Sequence, residues 1–325
     1  MTTEAASSAG LDPALFTPEA IAEETAQFNE QLREMMVGAQ ATHEQEPQAI
    51  RAAQGQGGGP FGEIVRLDNA KERTIPGPGG DIPLRIFTPE TVEGVYLHLH
   101  GGGWVLGAAD GQDPRLWETA QAANVAVVSV EYRLAPEDPY PAGPDDCEAA
   151  ASWLAEAAQA EFGADRLVIG GESAGGHLAA VTLLRMRDRH GFSGFVAANL
   201  VYGVFDFTLT PTQASSDDAP VIPKKTMEWF YDHFVSADQR RDPDVSPLYA
   251  ELHEMPPALF TVGSLDPLLD DSLFMHQRWV AAGNQSELAV YPGGTHGFNG
   301  FPIPMATAAN ERMNQFIADA VSGAP

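Results

Sequence analysis

From about residue 63 onward the chain alternates between two patterns. Short, continuous apolar runs rich in β-branched residues occupy positions 95–99, 125–130, 167–169, 195–202, 258–262 and 288–291. Between most of them lie longer stretches with apolar residues at helical spacing, at 114–123, 145–160, 176–189, 268–282 and 307–321. A strand buried on both faces has no side for polar residues, so it reads as a continuous run and not as an alternation. Strands of that kind separated by amphipathic helices predict an α/β fold, a mostly parallel sheet covered by helices on both faces. Segments 63–75 and 82–88 alternate apolar and polar positions and are expected to form antiparallel edge strands.

Two stretches depart from this rhythm. In residues 1–60, Thr17 followed by Pro18 predicts a capped helix running to about Val37. A polar stretch and the run Gly55-Gln56-Gly57-Gly58-Gly59-Pro60 then read as a linker. That run lacks the strand before and helix after that a phosphate-binding loop requires. The second departure, at about 207–244, holds a polar loop and an amphipathic helix near 224–235 with Met227, Trp229, Phe230 and Phe234 on its apolar stripe. An excursion of this length is either a lid over an active site or a peripheral helix packed on the core.

Composition narrows the functional classes. The 325 residues are 44% apolar and 9% aromatic, as in a soluble globular protein. No apolar run approaches the ~20 residues of a membrane-spanning helix. The start Met1-Thr2-Thr3-Glu4-Ala5 has neither the positive charge nor the apolar core of a secretory signal, so a cytoplasmic location is expected. A formal charge of −27 repels phosphate backbones and anionic lipid, which argues against nucleic-acid and membrane partners. The single cysteine, Cys147, excludes an internal disulfide. With Asp145, Asp146 and Glu148 beside it, its thiol stays protonated, so it reads as a small buried helix residue and not as a nucleophile.

Two motifs carry candidate chemistry. Gly171-Glu172-Ser173-Ala174-Gly175 stands between a predicted strand and a predicted helix. Small residues there allow a sharp turn that exposes the serine hydroxyl at the helix N-terminus. His100-Gly101-Gly102-Gly103-Trp104 follows another strand. Consecutive glycines let backbone N–H groups approach a ligand with no Cβ in the way. In an acyl-transfer enzyme such donors, together with the N–H of Ala174, stabilise an oxyanion. His98 and His100 share a strand face, but no third ligand at a supporting spacing makes them a metal pair. His100 is expected to brace the glycine loop by hydrogen bonding.

A nucleophilic serine needs a base, and the base an acid that holds its tautomer. After a serine of this kind the partners follow in the order acid, then histidine. Of nine histidines, His296 stands in the glycine-rich stretch Gly293-Gly294-Thr295-His296-Gly297-Phe298 after the last strand, at the sheet edge where the serine opens. Asp266, three residues beyond Gly263, lies at the same edge, and Asp206 is its rival. Asp270 and Asp271 are explained by the dipole of the helix they open. Trp104 and Phe298 are expected beside the acyl or alcohol group. Phe28, Met35 and Met36 either line the inside of a lid or are plain packing.

These motifs, with Tyr132-Arg133-Leu134-Ala135-Pro136-Glu137, Asp266-Pro267-Leu268 and His296-Gly297-Phe298, resemble in order and spacing the hormone-sensitive lipase-like (bacterial family IV) esterases from about residue 80 to the C-terminus. The resemblance implies the α/β-hydrolase fold, with Ser173, Asp266 and His296 as catalytic triad and the N–H groups of Gly102, Gly103 and Ala174 as oxyanion hole. His100, Gly101 and Glu172 would support them. It further implies a cap built from residues 1–60 and the insertion at about 207–244, set on a catalytic domain spanning 61–325. Hydrolysis of short- to medium-chain acyl esters is implied, with no cofactor and no metal, and many family members are homodimers. A lactonase or thioesterase would use the same triad, and a ligand-binding relative without catalysis would share the fold. The sequence departs from the family in Glu172, where aspartate is usual, and in His177, where asparagine is common.

Overall fold

The computed structural model describes residues 11–55 and 64–323. The apolar runs assemble into one sheet: β1 (Lys71–Gly77), β2 (Gly80–Phe87), β3 (Gly94–Leu99), β4 (Val125–Val130), β5 (Leu167–Glu172), β6 (Phe195–Val201), β7 (Ala258–Gly263) and β8 (Ser286–Tyr291), in the order β1-β2-β4-β3-β5-β6-β7-β8. β1 and β2 form an antiparallel hairpin, β2 runs antiparallel to β4, and every other pairing is parallel. Every position of β3, β4, β5 and β7 is buried, which is why these strands show no polar alternation. The expected edge pair is present, with its first strand shortened: residues 64–70 form a loop, and residue 63 lies outside the described residues.

Helices cover both faces. On one, α3 (Asp113–Ala123) and α9 (Pro304–Ser322) bury Leu116 and Ile317 against Val125, Val127 and Val168. On the other, α4 (Ala142–Phe162), α5 (Ala174–His190) and α8 (Leu269–Ala281) bury Leu154, Leu178 and Trp279 in the main core. Among the described residues no helix is long and apolar enough to cross a membrane.

The N-terminal region differs from its expected form. Thr17 makes no capping bond; its hydroxyl donates to the Ala14 carbonyl, and Pro18–Ala20 form only a short 3₁₀ turn. Ile21 and Ala22 are extended, and the helix proper, α1 (Glu23–Met36), begins with Glu23 and Glu24 in its first turn. The reason is tertiary. The Ile21 side chain packs so closely on Gly293 that a Cβ there would lie 2.6 Å from it. The polar stretch, expected to be a linker, coils into α2 (Pro47–Gly55), which begins on a proline at its first position; residues 56–60 of the glycine run lie outside the described residues. The region is fastened along its length. Asn29 donates to the Gly293 carbonyl at 2.8 Å, Phe28 packs on Phe301 at 5.0 Å between centroids, and Thr226 lies 3.0 Å from His43 Nδ1. Gln48 and Arg51 donate to Glu137. Met35 faces solvent.

The insertion at 207–244 contains α6 (Pro211–Ala214) and α7 (Lys224–Phe234), and one carboxylate anchors its start. Asp271 is wholly buried. It accepts from the N–H groups of Phe205 and Asp206 at 2.7 and 3.0 Å, from the Thr210 hydroxyl at 2.9 Å and from the Gln213 amide at 2.6 Å. Asp270 accepts from the Thr212 N–H at 2.9 Å. Helix-dipole preference therefore accounts for only part of this acidic pair; the rest is the pinning of the chain segment opposite. Burial pushes the Asp271 pKa up to about 7, against 3.8 for an ordinary aspartate.

Because the folded state keeps that proton to higher pH than the unfolded chain, stability falls as pH rises between the two values. The Asp271→Asn variant lacks this dependence, so the difference in Tm is expected to move in its favour by a few °C as pH rises from about pH 4 to about pH 7, at on the order of 1 kcal/mol per unit. Parallel curves of Tm against pH would refute the assignment.

Candidate active site

β5 ends where α5 begins, and Ser173 stands at the junction with φ 56° and ψ −117°. A residue other than glycine in the left-handed region costs about 1–3 kcal/mol and persists only when its surroundings enforce it. Here the enforcement is a backbone contact. A Cβ on Gly171 would lie 2.0 Å from the Leu99 carbonyl oxygen, and one on Gly175 would lie 1.8 Å from it. The end of β3 and the serine turn thus touch through their main chains, and the Ser173 N–H donates to the Val201 carbonyl at 2.9 Å. The half-buried hydroxyl is left at the N-terminus of α5.

His296, in the loop after β8, comes to this hydroxyl from the far end of the chain, with Nε2 3.0 Å from Ser173 Oγ. Its Nδ1 lies 3.0 and 3.1 Å from the two oxygens of Asp266. A carboxylate on that side fixes the tautomer: Nδ1 carries the proton and donates, so Nε2 accepts from the serine. Asp266 is 2% exposed, and its Oδ1 also accepts from the Leu268 N–H at 2.8 Å. The rival acid is engaged elsewhere, for Asp206 accepts from the Thr208 N–H and hydroxyl and from the Tyr249 hydroxyl. Tyr202 sets its ring edge-on to the imidazole, 4.7 Å between centroids.

The glycine loop lies against the serine turn on one side and α7 on the other. A Cβ on Gly101 would meet the Glu172 carbonyl oxygen at 2.9 Å and Ser173 Cβ at 3.7 Å; one on Gly103 would meet the Phe230 ring at 2.3 Å. Gly102 (φ +117°) and Gly103 (φ +61°) turn the chain. The N–H groups of Gly102, Gly103 and Ala174 donate to no acceptor among the described residues. Both ends of the loop are stapled. His100 Nδ1 lies 2.8 Å from the Gly101 carbonyl, the Tyr132 hydroxyl donates to the His100 carbonyl at 2.7 Å, and the two rings stack at 4.2 Å. The Ala135 N–H donates to the Trp104 carbonyl at 2.9 Å. Residues 132–137 thus brace the glycine loop, a role that no local pattern of theirs announces. Burial lowers the His100 pKa to about 4, which keeps its ring neutral.

Trp104 and Phe298, expected beside the ester, are both buried. The Trp104 indole N–H donates to His177 Nδ1 at 3.0 Å, and His177 Nε2 donates to the Val245 carbonyl at 2.8 Å. This arrangement requires a neutral imidazole, and burial takes the His177 pKa down to about 4. Trp104 stacks on Phe234 at 4.7 Å and lies 4.8 Å from Phe207, while Phe298 packs on Tyr291 and Gly294. Both residues stand behind the loops that carry the glycines and the imidazole, with little free surface to offer a ligand.

Glu172 points away from the serine hydroxyl into a buried polar cluster with His98, Gln112 and Arg115. His98 lies 3.0 Å from the Ser129 hydroxyl and its pKa is lowered to about 3 by burial. No group of three metal-ligating side chains occurs among the described residues. The Cys147 thiol is buried, which pushes its pKa well up. The arrangement provides a hydroxyl with a base behind it, a carboxylate behind the base, and unpaired N–H donors beside the hydroxyl. Those are the parts needed for attack on an acyl carbon.

Comparison with known proteins agrees with this chemistry. A family model for the alpha/beta hydrolase fold matches residues 96–300. The chain is 38% identical over 260 residues to carboxylic ester hydrolase LipN of Mycobacterium tuberculosis, covering 76% of this chain and 69% of that protein. It is 34% identical over 230 residues to ethyl acetate hydrolase of Pseudomonas putida, covering 68% and 72%. Among solved structures, a hyperthermophilic esterase from the archaeon Pyrobaculum calidifontis superposes with a TM-score of 0.82 at 28% identity, covering 92% of this chain and 98% of that one. The family model spans well over half of the chain and these relatives align along most of it, so the protein belongs to the hormone-sensitive lipase-like esterases of the α/β-hydrolase fold.

Proposed function

We propose that the protein is a carboxylesterase that hydrolyses short- to medium-chain acyl esters through an acyl-enzyme on Ser173. The observation that carries this reading is the unbroken line from Ser173 Oγ to His296 Nε2 at 3.0 Å and from His296 Nδ1 to Asp266 at 3.0 Å, with a glycine loop alongside. Ser173 Oγ attacks the ester carbonyl carbon while its proton passes to His296 Nε2. Asp266 stabilises the imidazolium. The carbonyl oxygen, now negative, accepts from the N–H groups of Gly102, Gly103 and Ala174, donors that need no rearrangement as the charge forms. The tetrahedral intermediate collapses, the C–O bond breaks, and the alcohol leaves with the proton from His296. Water then attacks the acyl-enzyme with His296 as base, and the carboxylic acid departs. A relative whose name is ethyl acetate hydrolase supports a small ester as substrate.

The same reading makes residues 1–60 and the insertion at 207–244 a cap. Its support is that α7 rests its Phe230 ring on Gly103, while His43 of the N-terminal region meets Thr226 of α7. Elements placed there would limit the access of bulk water to the reacting carbonyl. A single buried cysteine suits a reducing cytoplasm.

Ser173→Ala is expected to lower kcat on a short p-nitrophenyl ester by about 10⁶-fold and to abolish labelling by a fluorophosphonate. Turnover at the wild-type level would reject Ser173 as nucleophile. Asp266→Asn is expected to reduce kcat by about 10⁴-fold, because the amide favours the wrong imidazole tautomer, while Asp206→Asn leaves it within about threefold. The opposite ranking in the same assay would transfer the orienting role to Asp206.

A further inference from the structure

The residue before the nucleophile is a glutamate, one methylene longer than the aspartate usual at this place in the family. Its buried carboxylate lies 3.0 Å from His98 Nε2, accepts from the Gln112 amide at 3.1 Å and pairs with the Arg115 guanidinium. Arg115, on α3, also donates to Gln112 Oε1 at 3.0 Å and to Asn310 Oδ1 on α9 at 3.3 Å. Asn310 donates in turn to the Asn299 carbonyl at 3.0 Å, and Asn299 donates back to Asn310 Oδ1 at 3.3 Å. Asn299 Oδ1 accepts from the Tyr202 hydroxyl at 2.5 Å, and the Tyr202 ring stands against His296. A line of polar contacts therefore leaves the serine turn at Glu172, passes behind the sheet edge through two helices, and returns to the imidazole.

Glu172, Asn299 and Tyr202 are each 5% exposed or less, so water is a poor substitute for a partner lost at these three positions, while Gln112, Arg115 and Asn310 between them are partly exposed. We propose that it is a positioning brace for the reaction, with Arg115 as its hub and Tyr202 as its contact with the base, holding the serine turn and the histidine loop at a fixed separation. The inference rests on the serine–histidine chemistry proposed above. The direct bond between Ser173 and His296 must form and break in each cycle, whereas the brace stays intact and restores the spacing. Proton-transfer geometry is steep in distance: a misplacement of about 1 Å can reduce rate by about 10²-fold.

The test is a mutant cycle on kcat and KM measured separately with a short p-nitrophenyl ester. Tyr202→Phe keeps the ring against His296 and removes only the hydroxyl; Glu172→Asp keeps the charge and retracts it from Arg115. Each single variant is expected to lower kcat about tenfold with KM within about twofold, and the double variant to be no slower than the slower single, because both cut the same line. Arg115→Met should reproduce the loss. A Tyr202→Phe enzyme with wild-type kcat, or a double variant whose loss is the product of the two single losses, overturns the brace. Labelling by a fluorophosphonate separates the two levels of the argument: if Ser173 in the wild-type protein is not labelled, the nucleophile assignment fails; if it is labelled and the cycle is multiplicative, only the brace does.

Discussion

The end of β3 and the turn after β5 run so close together that only glycine fits between them. Gly171 and Gly175 both lean on one carbonyl oxygen, that of Leu99. That contact fixes both flanks of the turn, and Ser173, in the middle of the three residues between them, stands with φ 56°. The same contact carries the glycine loop, which continues directly from β3, to the side of the serine. The serine hydroxyl and the unpaired N–H groups of the glycine loop are thus juxtaposed by one main-chain approach, before any side chain contributes. Protein interiors are packed about as densely as organic crystals, so a main-chain contact of this kind is stiff.

Around this pair, three histidines that stay neutral hold several of the remaining parts. His98, His100 and His177 are all buried and have their pKa values pushed down to about 3, 4 and 4. Each uses ring nitrogens to tie one segment to another: β3 to Glu172 and β4, the glycine loop to itself, and Trp104 to the segment around Val245. A neutral imidazole offers one donor and one acceptor at fixed angles without the desolvation penalty of a buried charge.

Much of the architecture could be read from the chain because burial on both faces leaves a simple trace. β4 is an uninterrupted valine-rich run, and its two ends are where the run starts and stops. Ser173, Asp266 and His296, found here in hydrogen-bonding distance, were legible as residues just past the ends of such strands. What was not legible depends on contacts with distant partners. Ile21 interrupts a helix that Thr17 and Pro18 would open, because Gly293 offers it a seat. Asp271 looks like an ordinary first-turn acid until the segment 205–213 is laid on it. Trp104 and Phe298 look like pocket residues by proximity in sequence, and both side chains are buried among their neighbours. Arg115 and Asn310 stand on different helices, and nothing at either position betrays the other.

The contact between Asn29 and the Gly293 carbonyl joins residues 264 positions apart. A chain emerging from the ribosome has α1 available early, with its apolar and amide face unpartnered, while the loop that will receive it is not yet made. Loop-closure entropy grows only logarithmically with separation, so the delay weighs far more on kinetics than on final stability. The helix made near the beginning thus finds its place only near the end, at the moment the imidazole loop is seated. Partial chains that already hold the serine turn would still lack His296 and Asp266, so on the proposed mechanism they would not yet hydrolyse an ester.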